Sequence, residues 1–137
     1  MKKTNILFLL ILLPALFSCT SKTEQAKQFF NEGIAKTYKG DFESALKDFD
    51  KAIEIKADFF EAYYQRGNVK FNLRQYKEAI MDFDKAIEIN PEYADAYVNR
   101  GNTVSIIEQN PLAGCEDWKK AKDLGKHNLD EKIKFCK

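Results

Sequence analysis

Neither sign of charge is in excess in this 137-residue chain, which carries 22 basic and 21 acidic residues. Proteins that bind nucleic acids usually show a basic patch or a high isoelectric point, so we expect no nucleic-acid partner. Histidine is nearly absent, since His127 is the only one. With Cys115 and Cys136 it makes a weak zinc set, because structural zinc sites need four ligands. We therefore expect no metal and no cofactor.

Motifs of catalysis are also missing. The chain has no glycine-rich phosphate loop and no Ser, His and Asp in a catalytic order. His127 follows a glycine and is expected in a solvated turn. The carboxylates recur as "DFDKAIE" on what we interpret as a solvated helix face, where ion pairs with Lys51 and Lys85 would each contribute little. We expect no enzyme; a hydrolase remains possible only if folding assembles side chains that spacing does not reveal.

Long hydrophobic runs are limited to Ile6–Phe17, which follows two lysines and precedes Cys19. Twelve residues are too few for a membrane span, which needs about 20, and the layout is that of a secretory signal peptide. Simple cleavage at small residues fits less well, because Leu16 and Phe17 crowd the cut site. The stretch "LFSC", Leu16–Cys19, resembles the lipobox of bacterial lipoproteins. That resemblance implies cleavage before Cys19 and lipid on its sulfur.

The expected organisation is therefore a lipoprotein signal peptide at residues 1–18 and a lipidated tether at residues 19–25. Several acyl chains on Cys19 would anchor the protein firmly. The six polar residues after it reach at most about 20 Å. We expect a protein of the bacterial cell envelope, lipid-anchored to a membrane and facing the periplasm or exterior.

An internal repeat dominates the rest of the chain. The octapeptide "DFDKAIEI" occurs at Asp48–Ile55 and again 34 residues later, at Asp82–Ile89. A shift of 34 aligns residues 26–59 with 60–93 at eleven identical positions, and a third copy follows from Ala94. A fixed period of 34 is typical of paired helices that stack into an array.

Small and aromatic residues recur at fixed places in each unit. A glycine marks each one, with an aromatic four residues earlier. In the first two units an alanine follows twelve residues later, then a second aromatic and a second alanine. These residues are Gly33, Gly67 and Gly101; Phe29, Tyr63 and Tyr97; Ala45 and Ala79; Phe49 and Phe83; and Ala52 and Ala86. Together with the period, they resemble the tetratricopeptide repeat (TPR) family.

The resemblance implies an all-α fold: a right-handed α-α superhelix of three TPR helix hairpins plus a C-terminal capping helix, over residues 26–137. The repeats are expected at about 26–59, 60–93 and 94–126, and the capping helix at about 127–136, with boundaries good to a few residues. The remaining helices are expected at about 25–39, 42–56, 60–73, 76–89, 94–107 and 111–124.

The repeat pattern also predicts where one helix ends and the next begins, and where the third unit departs from the period. Gly40 and Asp41 predict a helix stop and the next helix's cap. In the third unit Gly114 follows Gly101 by thirteen residues, not twelve. We expect the extra residue in the turn at Glu108–Pro111, with Asn110 as a cap and the proline as the first helical residue. The capping helix should bury Leu129, Ile133 and Cys136 on one face.

Two cysteines remain if Cys19 is lipidated, and disulfides can persist in an exported protein. A hairpin that turns at Gly125 and Lys126 brings Cys115 and Cys136 level. We expect a disulfide between them; the alternative is two buried free thiols that only pack.

In the TPR family, the first helix of each unit lines a concave groove that binds extended peptides or a partner's helix. Asn68 and Asn102 either hydrogen-bond a peptide backbone or only satisfy neighbouring helices. The groove residues implied here are Phe30, Ile34, Tyr64, Asn68, Phe71, Val98 and Asn102, with Thr37 and Ser105 further along.

One subset of the family clamps a C-terminal carboxylate with lysine, asparagine and arginine. Phe30, Ile34, Asp95 and Asn99 stand at those positions here, so we expect no clamp. The groove looks apolar and aromatic at its N-terminal end instead.

These expectations describe a non-enzymatic scaffold or adaptor, tethered to a membrane through lipid, that binds a protein or peptide partner in its groove. The alternative is a structural subunit whose groove is filled by its own tether or by another copy, giving a homodimer.

Overall fold

A computed structural model describes the backbone of residues 13–136 and the side chains from Lys22 to Cys136. Within these residues the chain forms seven α-helices and no strand, which confirms the predicted all-α fold. The helices are α1 Leu13–Tyr38, α2 Phe42–Ile55, α3 Phe60–Asn72, α4 Tyr76–Ile89, α5 Ala94–Ile107, α6 Cys115–Asp123 and α7 Asp130–Ile133. The start of the predicted signal peptide, residues 1–12, lies outside the described residues, as does the side chain of Cys19.

Consecutive helices pair as antiparallel hairpins, α1 with α2, α3 with α4 and α5 with α6. The hairpins stack through contacts of α2 with α3 and of α4 with α5. The first helices of the hairpins also touch one another, α1 with α3 and α3 with α5, whereas in the described part α2, α4 and α6 do not. The inner layer is thus the tighter one, and the array curves around it as a right-handed superhelix.

Glycine on each inner helix receives an aromatic ring from the outer helix of the same hairpin. A Cβ added at Gly33 would lie 2.7 Å from the ring of Phe49, and one at Gly67 would lie 2.7 Å from the ring of Phe83. Both phenylalanines are fully buried. The repeated glycines are therefore required by packing, because any larger side chain would push the two helices apart.

The third hairpin absorbs its extra residue in a different place from the one predicted. Helix α5 has 14 residues where α3 has 13. The left-handed turn residue that follows moves accordingly, from Arg74 in the second hairpin to Gln109 in the third. A helix can gain one residue at its end without breaking its hydrogen bonds, so the turn keeps its geometry and the helix grows.

Helix α6 begins later than predicted, at Cys115. Pro111 to Gly114 form turns closed by hydrogen bonds between residues three apart, from Ala113 N to Asn110 O and from Cys115 N to Leu112 O. The Asn110 side chain does accept a backbone hydrogen bond, from Leu112 N at 3.0 Å, but it caps this turn and not the helix.

The predicted capping helix at 127–136 is reduced to one turn, α7, which spans Asp130–Ile133. Only Leu129 of the expected apolar face is buried, at 5% exposure, in a cluster with Tyr97 and Ala121. Ile133 and Cys136 are partly exposed. Asn128 has a positive φ of 65°, so the backbone cannot continue as a helix from residue 127.

The predicted tether is helical. Helix α1 already includes residues 19–25, and seven helical residues extend about 10 Å, at 1.5 Å each, about half of the reach expected for an extended tether. None of the helices in the described residues is both long enough and apolar enough to cross a membrane.

A disulfide joins Cys115, at the start of α6, to Cys136, three residues beyond α7, with their Cα atoms 5.6 Å apart. It closes a loop of 21 residues. The bond therefore ties the C-terminal residues to the third hairpin.

Candidate binding groove

The N-terminal part of the predicted groove is largely occupied by core packing. The ring of Phe30 lies 4.9 Å from that of Phe59 and 5.9 Å from that of Phe49, measured between centroids. Ile34 packs against the cluster of Ala45, Phe49 and Val69. These apolar residues are partly buried because they hold the first two hairpins together, which leaves less open surface here than the sequence suggested.

In the middle of the array, a polar network links α3 to α5. The side-chain amide of Asn99 donates to Asn68 Oδ1 at 2.7 Å and to the hydroxyl oxygen of Tyr64 at 3.1 Å. The Tyr64 ring also packs edge-on against Tyr93, 4.9 Å away. Burial raises the pKa of Tyr64, so its hydroxyl stays protonated. The Asn68 oxygen is thus already used by the neighbouring inner helix.

Asn102 makes a similar set of contacts at the next hairpin. Its Oδ1 accepts from Trp118 Nε1 at 3.2 Å and from Lys132 Nζ at 2.9 Å. Val98 packs against the cluster around Tyr97, and the Ser105 hydroxyl accepts from Gly114 N at 3.0 Å. These side chains position α5 against α6 and the C-terminal residues.

Two open pockets lie along this inner surface and share Asn102. The first, of about 300 Å³, brings together three predicted groove residues with three others: Asn68, Phe71, Asn72, Phe83, Asn99 and Asn102. It is here named the polar pocket, because four of its six lining residues are asparagines. Amides offer both donors and acceptors, so this pocket can pair with the backbone of an extended peptide.

The second pocket is larger, about 740 Å³, and lies at the C-terminal end of the array. Its lining is mostly apolar: Asn102, Ser105, Ile106, Pro111, Leu112, Trp118, Glu131, Lys132 and Phe135. Three of these apolar side chains are well exposed, Ile106 at 45%, Leu112 at 43% and Phe135 at 67%. The open apolar part of the surface is thus at the end opposite to the one predicted.

Sequence reasoning missed Ile106, Leu112 and Phe135. A signal was present, because none of the three occupies a position that the repeat pattern of glycine, alanine and aromatic residues requires. Large apolar side chains outside the pattern have no assigned packing partner, and on a folded array they are the ones left for solvent or a ligand.

The positions of the carboxylate clamp hold no arrangement that would grip a carboxylate. Asp95 forms an ion pair with Lys126, and this hydrogen bond raises the pKa of the Lys126 ammonium despite some desolvation. Asn99 is engaged in the polar network, and Phe30 in the core.

The outer helices hold an ion-pair ladder, and the interpretation of "DFDKAIE" as a solvated face is wrong for its first aspartate, whereas the other carboxylates of the motif are exposed. The first aspartate of each motif is buried, Asp48 at 3% and Asp82 at 4% exposure. Asp82 binds Arg66 through two hydrogen bonds, of 2.9 and 2.6 Å. Arg66 also donates to Asp50 of the preceding unit at 2.6 Å. The motif therefore clamps one hairpin to the next.

The third hairpin repeats the ladder one residue out of period. Arg100 binds Asp117 in the same two-bonded way and Asp84 of the preceding unit at 2.6 Å. The hydrogen bonding of the Arg100 guanidinium to the Asp117 carboxylate is the main reason why the pKa of Arg100 is raised. For Arg66, desolvation opposes the rise, but Asp82 and Asp50 outweigh it. Both guanidinium groups therefore stay charged, and their ion pairs hold neighbouring hairpins together.

One of the two lysines of the motif forms the predicted surface ion pair and the other does not. Lys85 pairs with Glu88 at 2.7 Å, as a surface pair should, but the Lys51 ammonium lies 4.9 Å above the ring of Phe29. His127 is exposed outside any helix, as expected. Among the described residues no group of three or more histidine, cysteine, aspartate or glutamate side chains is placed to hold a metal ion.

Comparisons with known proteins identify the repeats. A model named "Tetratricopeptide repeat" matches residues 60–93 and one named "TPR repeat" matches residues 33–74. A search of curated proteins found no significant match.

Solved structures match over most of the chain. The first TPR of Spaghetti (RPAP3), bound to the HSP90 peptide SRMEEVD, is 18% identical with a TM-score of 0.74, covering 82% of this chain and 90% of that one. The Arabidopsis OM64 TPR domain is 20% identical with a TM-score of 0.74, covering 82% and 91%. MamA is 23% identical with a TM-score of 0.70, covering 82% and 63%. The chain therefore contains tetratricopeptide repeats and folds as a TPR domain.

Proposed function

We propose that this protein is a non-enzymatic scaffold that binds an extended peptide segment of a partner protein along its inner surface. The observation that carries the proposal is the pair of neighbouring pockets, the polar pocket and the apolar pocket, that share Asn102 in their linings. The polar pocket suits a peptide backbone and the apolar one suits side chains. A structurally similar TPR domain holds a peptide, which supports the same use of this surface.

The proposed ligand is not a peptide that is recognised by its C-terminal carboxylate. The clamp positions provide no cation, since they hold Phe30, Ile34, Asp95 and Asn99. Lys126, which contacts Asp95, forms an ion pair with it. Recognition would therefore depend on main-chain hydrogen bonds and on burial of apolar side chains.

Photo-crosslinking tests this proposal directly. Phe71 lines the polar pocket and is aromatic, so a benzoylphenylalanine in its place is a conservative change. Met81, on the outer helix α4 and 69% exposed, is the matched control position. We expect a partner to be crosslinked from position 71 and not from position 81. Crosslinking from position 81 alone, or equally from both, would place binding outside the groove.

Self-association is the second candidate function, favoured by the exposed apolar side chains Ile106, Leu112 and Phe135. It predicts that position 71 crosslinks to another copy of the chain, and that the purified protein in detergent sediments as a dimer. A monomer that crosslinks to a different protein would favour the adaptor function over self-association.

Export and lipid anchoring are part of the same proposal and rest on the sequence from Lys2 to Cys19. The Cys19→Ala variant should leave an uncleaved or soluble precursor, since no thiol remains to receive lipid. Fractionation of cells that express each form, followed by floatation of the membranes, measures this. A variant that floats with membranes at the mature size would contradict lipidation at Cys19 and the envelope location that depends on it.

A further inference from the structure

The last described residues, Asp130–Cys136, form a short segment across the end of the array, here named the C-terminal strap. It contains α7 and ends at the disulfide to Cys115. A single helical turn has almost no stability of its own, because it fixes the backbone of several residues and forms only one hydrogen bond. The position of the strap therefore depends on what holds its two ends.

The two ends are held differently. Before the strap, Leu129 is buried in the cluster with Tyr97 and Ala121. At its far end, the disulfide of Cys136 is a covalent bond to α6. Between them lie weaker contacts, among them an exposed ion pair of Lys122 with Asp130, of a kind that contributes little. Without the disulfide, the far end of the strap would keep only such contacts.

The strap builds one wall of the apolar pocket. Glu131, Lys132 and Phe135 come from it, and the Lys132 ammonium lies 4.9 Å above the ring of Trp118, which also lines the pocket. Phe135 is next to Cys136 in the chain, so the bond that fixes the cysteine also fixes the phenylalanine. A strap that swings away would turn the pocket into an open surface.

We propose that the apolar pocket takes a large apolar side chain of the groove-bound peptide, and that the Cys115–Cys136 disulfide makes this binding sensitive to redox state. The proposal rests on the proposed function, because the peptide must reach the pocket from the groove. Asn102 lines both pockets, so one extended ligand can occupy both. The side chains of Ile106, Leu112 and Phe135 fit an apolar occupant.

The reductant is a dithiol. One of its thiolates attacks a sulfur of the Cys115–Cys136 bond, forming a mixed disulfide and releasing the other cysteine as a thiolate. Its second thiolate then displaces the remaining cysteine. Two electrons and two protons end on the two cysteines, and the reductant leaves as a disulfide. Both cysteines are partly exposed, so a small dithiol can reach them.

Trp118 reports on the strap without any ligand. It is the only tryptophan of the chain and is 4% exposed. Acrylamide quenching of its fluorescence is measured on the full chain in detergent, oxidised and after treatment with dithiothreitol. We expect the quenching constant to rise several-fold on reduction, while the far-ultraviolet circular dichroism changes little. The double variant Cys115→Ser with Cys136→Ser should resemble the reduced protein under both conditions.

Two results would overturn the redox dependence. One is unchanged quenching in a sample whose thiols are shown to be reduced, since the strap would then stay in place without the bond. The other is loss of the helical signal on reduction, since the disulfide would then hold the whole array. Neither depends on a peptide, so a failure here is distinct from a failure of crosslinking at Phe71.

An anilinonaphthalene sulfonate dye probes the pocket itself. The signal is energy transfer from Trp118 to the dye. Dye molecules bound near that residue accept the energy, and dye dissolved in the detergent does not. We expect tighter dye binding by the oxidised chain, weaker binding after Phe135→Ala and no change after Met81→Ala, the matched exposed apolar residue. Equal affinity of the oxidised and reduced chains, or no effect of Phe135→Ala, would contradict the proposed pocket.

Discussion

The second and third hairpins derive from the same repeat but pack differently. In the second, Gly67 faces the ring of Phe83, and Ala79 fills the next contact. In the third, glycine replaces that alanine: a Cβ added at Gly114 would lie 2.4 Å from the carbonyl oxygen of Gly101. The outer helix is also shorter, nine residues in α6 against 14 in α4.

The difference shows where an array gains a binding surface. The regular hairpin buries most of its large apolar residues fully or partly in packing, and its part of the inner surface presents asparagines beside Phe71. In the third hairpin a turn replaces the start of the outer helix, which leaves Leu112 and the end of α5 exposed. The apolar pocket forms at this break in the period.

The largest effect is expected from breaking the regular contact in the second hairpin. Phe83→Ala removes a fully buried ring and leaves a cavity beside Gly67. Its unfolding free energy should fall by about 3–5 kcal/mol, measured by urea denaturation. Met81→Ala, two residues away and exposed, is the control and should be nearly neutral. A loss below about 1 kcal/mol for Phe83→Ala would show that the ring does not carry the hairpin contact.

The disulfide separates the two hairpins further, because it attaches to the third and the second contains no cysteine. Replacing Cys115 and Cys136 by serine should lower the unfolding free energy by about 3 kcal/mol, the chain-entropy value for a loop of this size. Urea denaturation with and without reductant measures it, and the double variant should no longer respond to reductant. With Cys19→Ala as background, two free thiols in the unreduced, unfolded protein would contradict the bond.

Gly114→Ala tests the closer backbone approach of the third hairpin. The neighbouring atom is a backbone oxygen of Gly101, which cannot rotate away, so the helices must separate. Overpacking of this kind costs roughly 1–3 kcal/mol. The matching position in the second hairpin already holds an alanine, Ala79, which is fully buried. A neutral Gly114→Ala variant would mean that the third hairpin packs like the second.

The smallest effect concerns helix caps. Asp41 accepts from Ser44 N at 3.3 Å at the start of α2, as predicted. Gln75 makes no such bond at the start of α4, although its φ and ψ are similar. Gln75→Asp should add stability of roughly 0.5–1 kcal/mol at neutral pH. The gain should vanish in acid, because the new carboxylate would be protonated. A gain that persists in acid would point to a cause other than capping.

The sequence predicts the parts of the fold that repeat. Helices α2 to α5 fall within one residue or so of their expected bounds, since glycine, alanine and aromatic spacing determines how each hairpin closes. The prediction is less accurate for α6 and α7, where the period is broken and tertiary contacts decide the helix ends. The late start of α6 follows from the turn at Pro111–Gly114, which no repeat pattern encodes.

The predicted groove residues lie on the inner helices α1, α3 and α5, but the sequence does not predict what surrounds each of them. Family spacing identifies residues of the inner helices, yet it does not tell whether a side chain points into a pocket or into the next hairpin. Phe30 and Asn68 turned out to be used by their neighbours. The buried Asp82 was missed because an acidic residue looks solvated until its partner Arg66 is known, and the two are 16 residues apart.

Hydrogen exchange on the complex with the crosslinked partner tests the central claim most directly. Binding along the inner surface predicts slower exchange in α3 and α5 and in the C-terminal strap, with α2 and α4 unchanged. Apart from the buried ring of Phe83, the polar pocket is lined by α3 and α5, and the apolar pocket by α5, the turn before α6, Trp118 and the strap. A ligand in these pockets therefore leaves α2 and the exposed face of α4 uncovered. Protection confined to α2 and α4 would contradict the account, because it would place the partner on the outer surface.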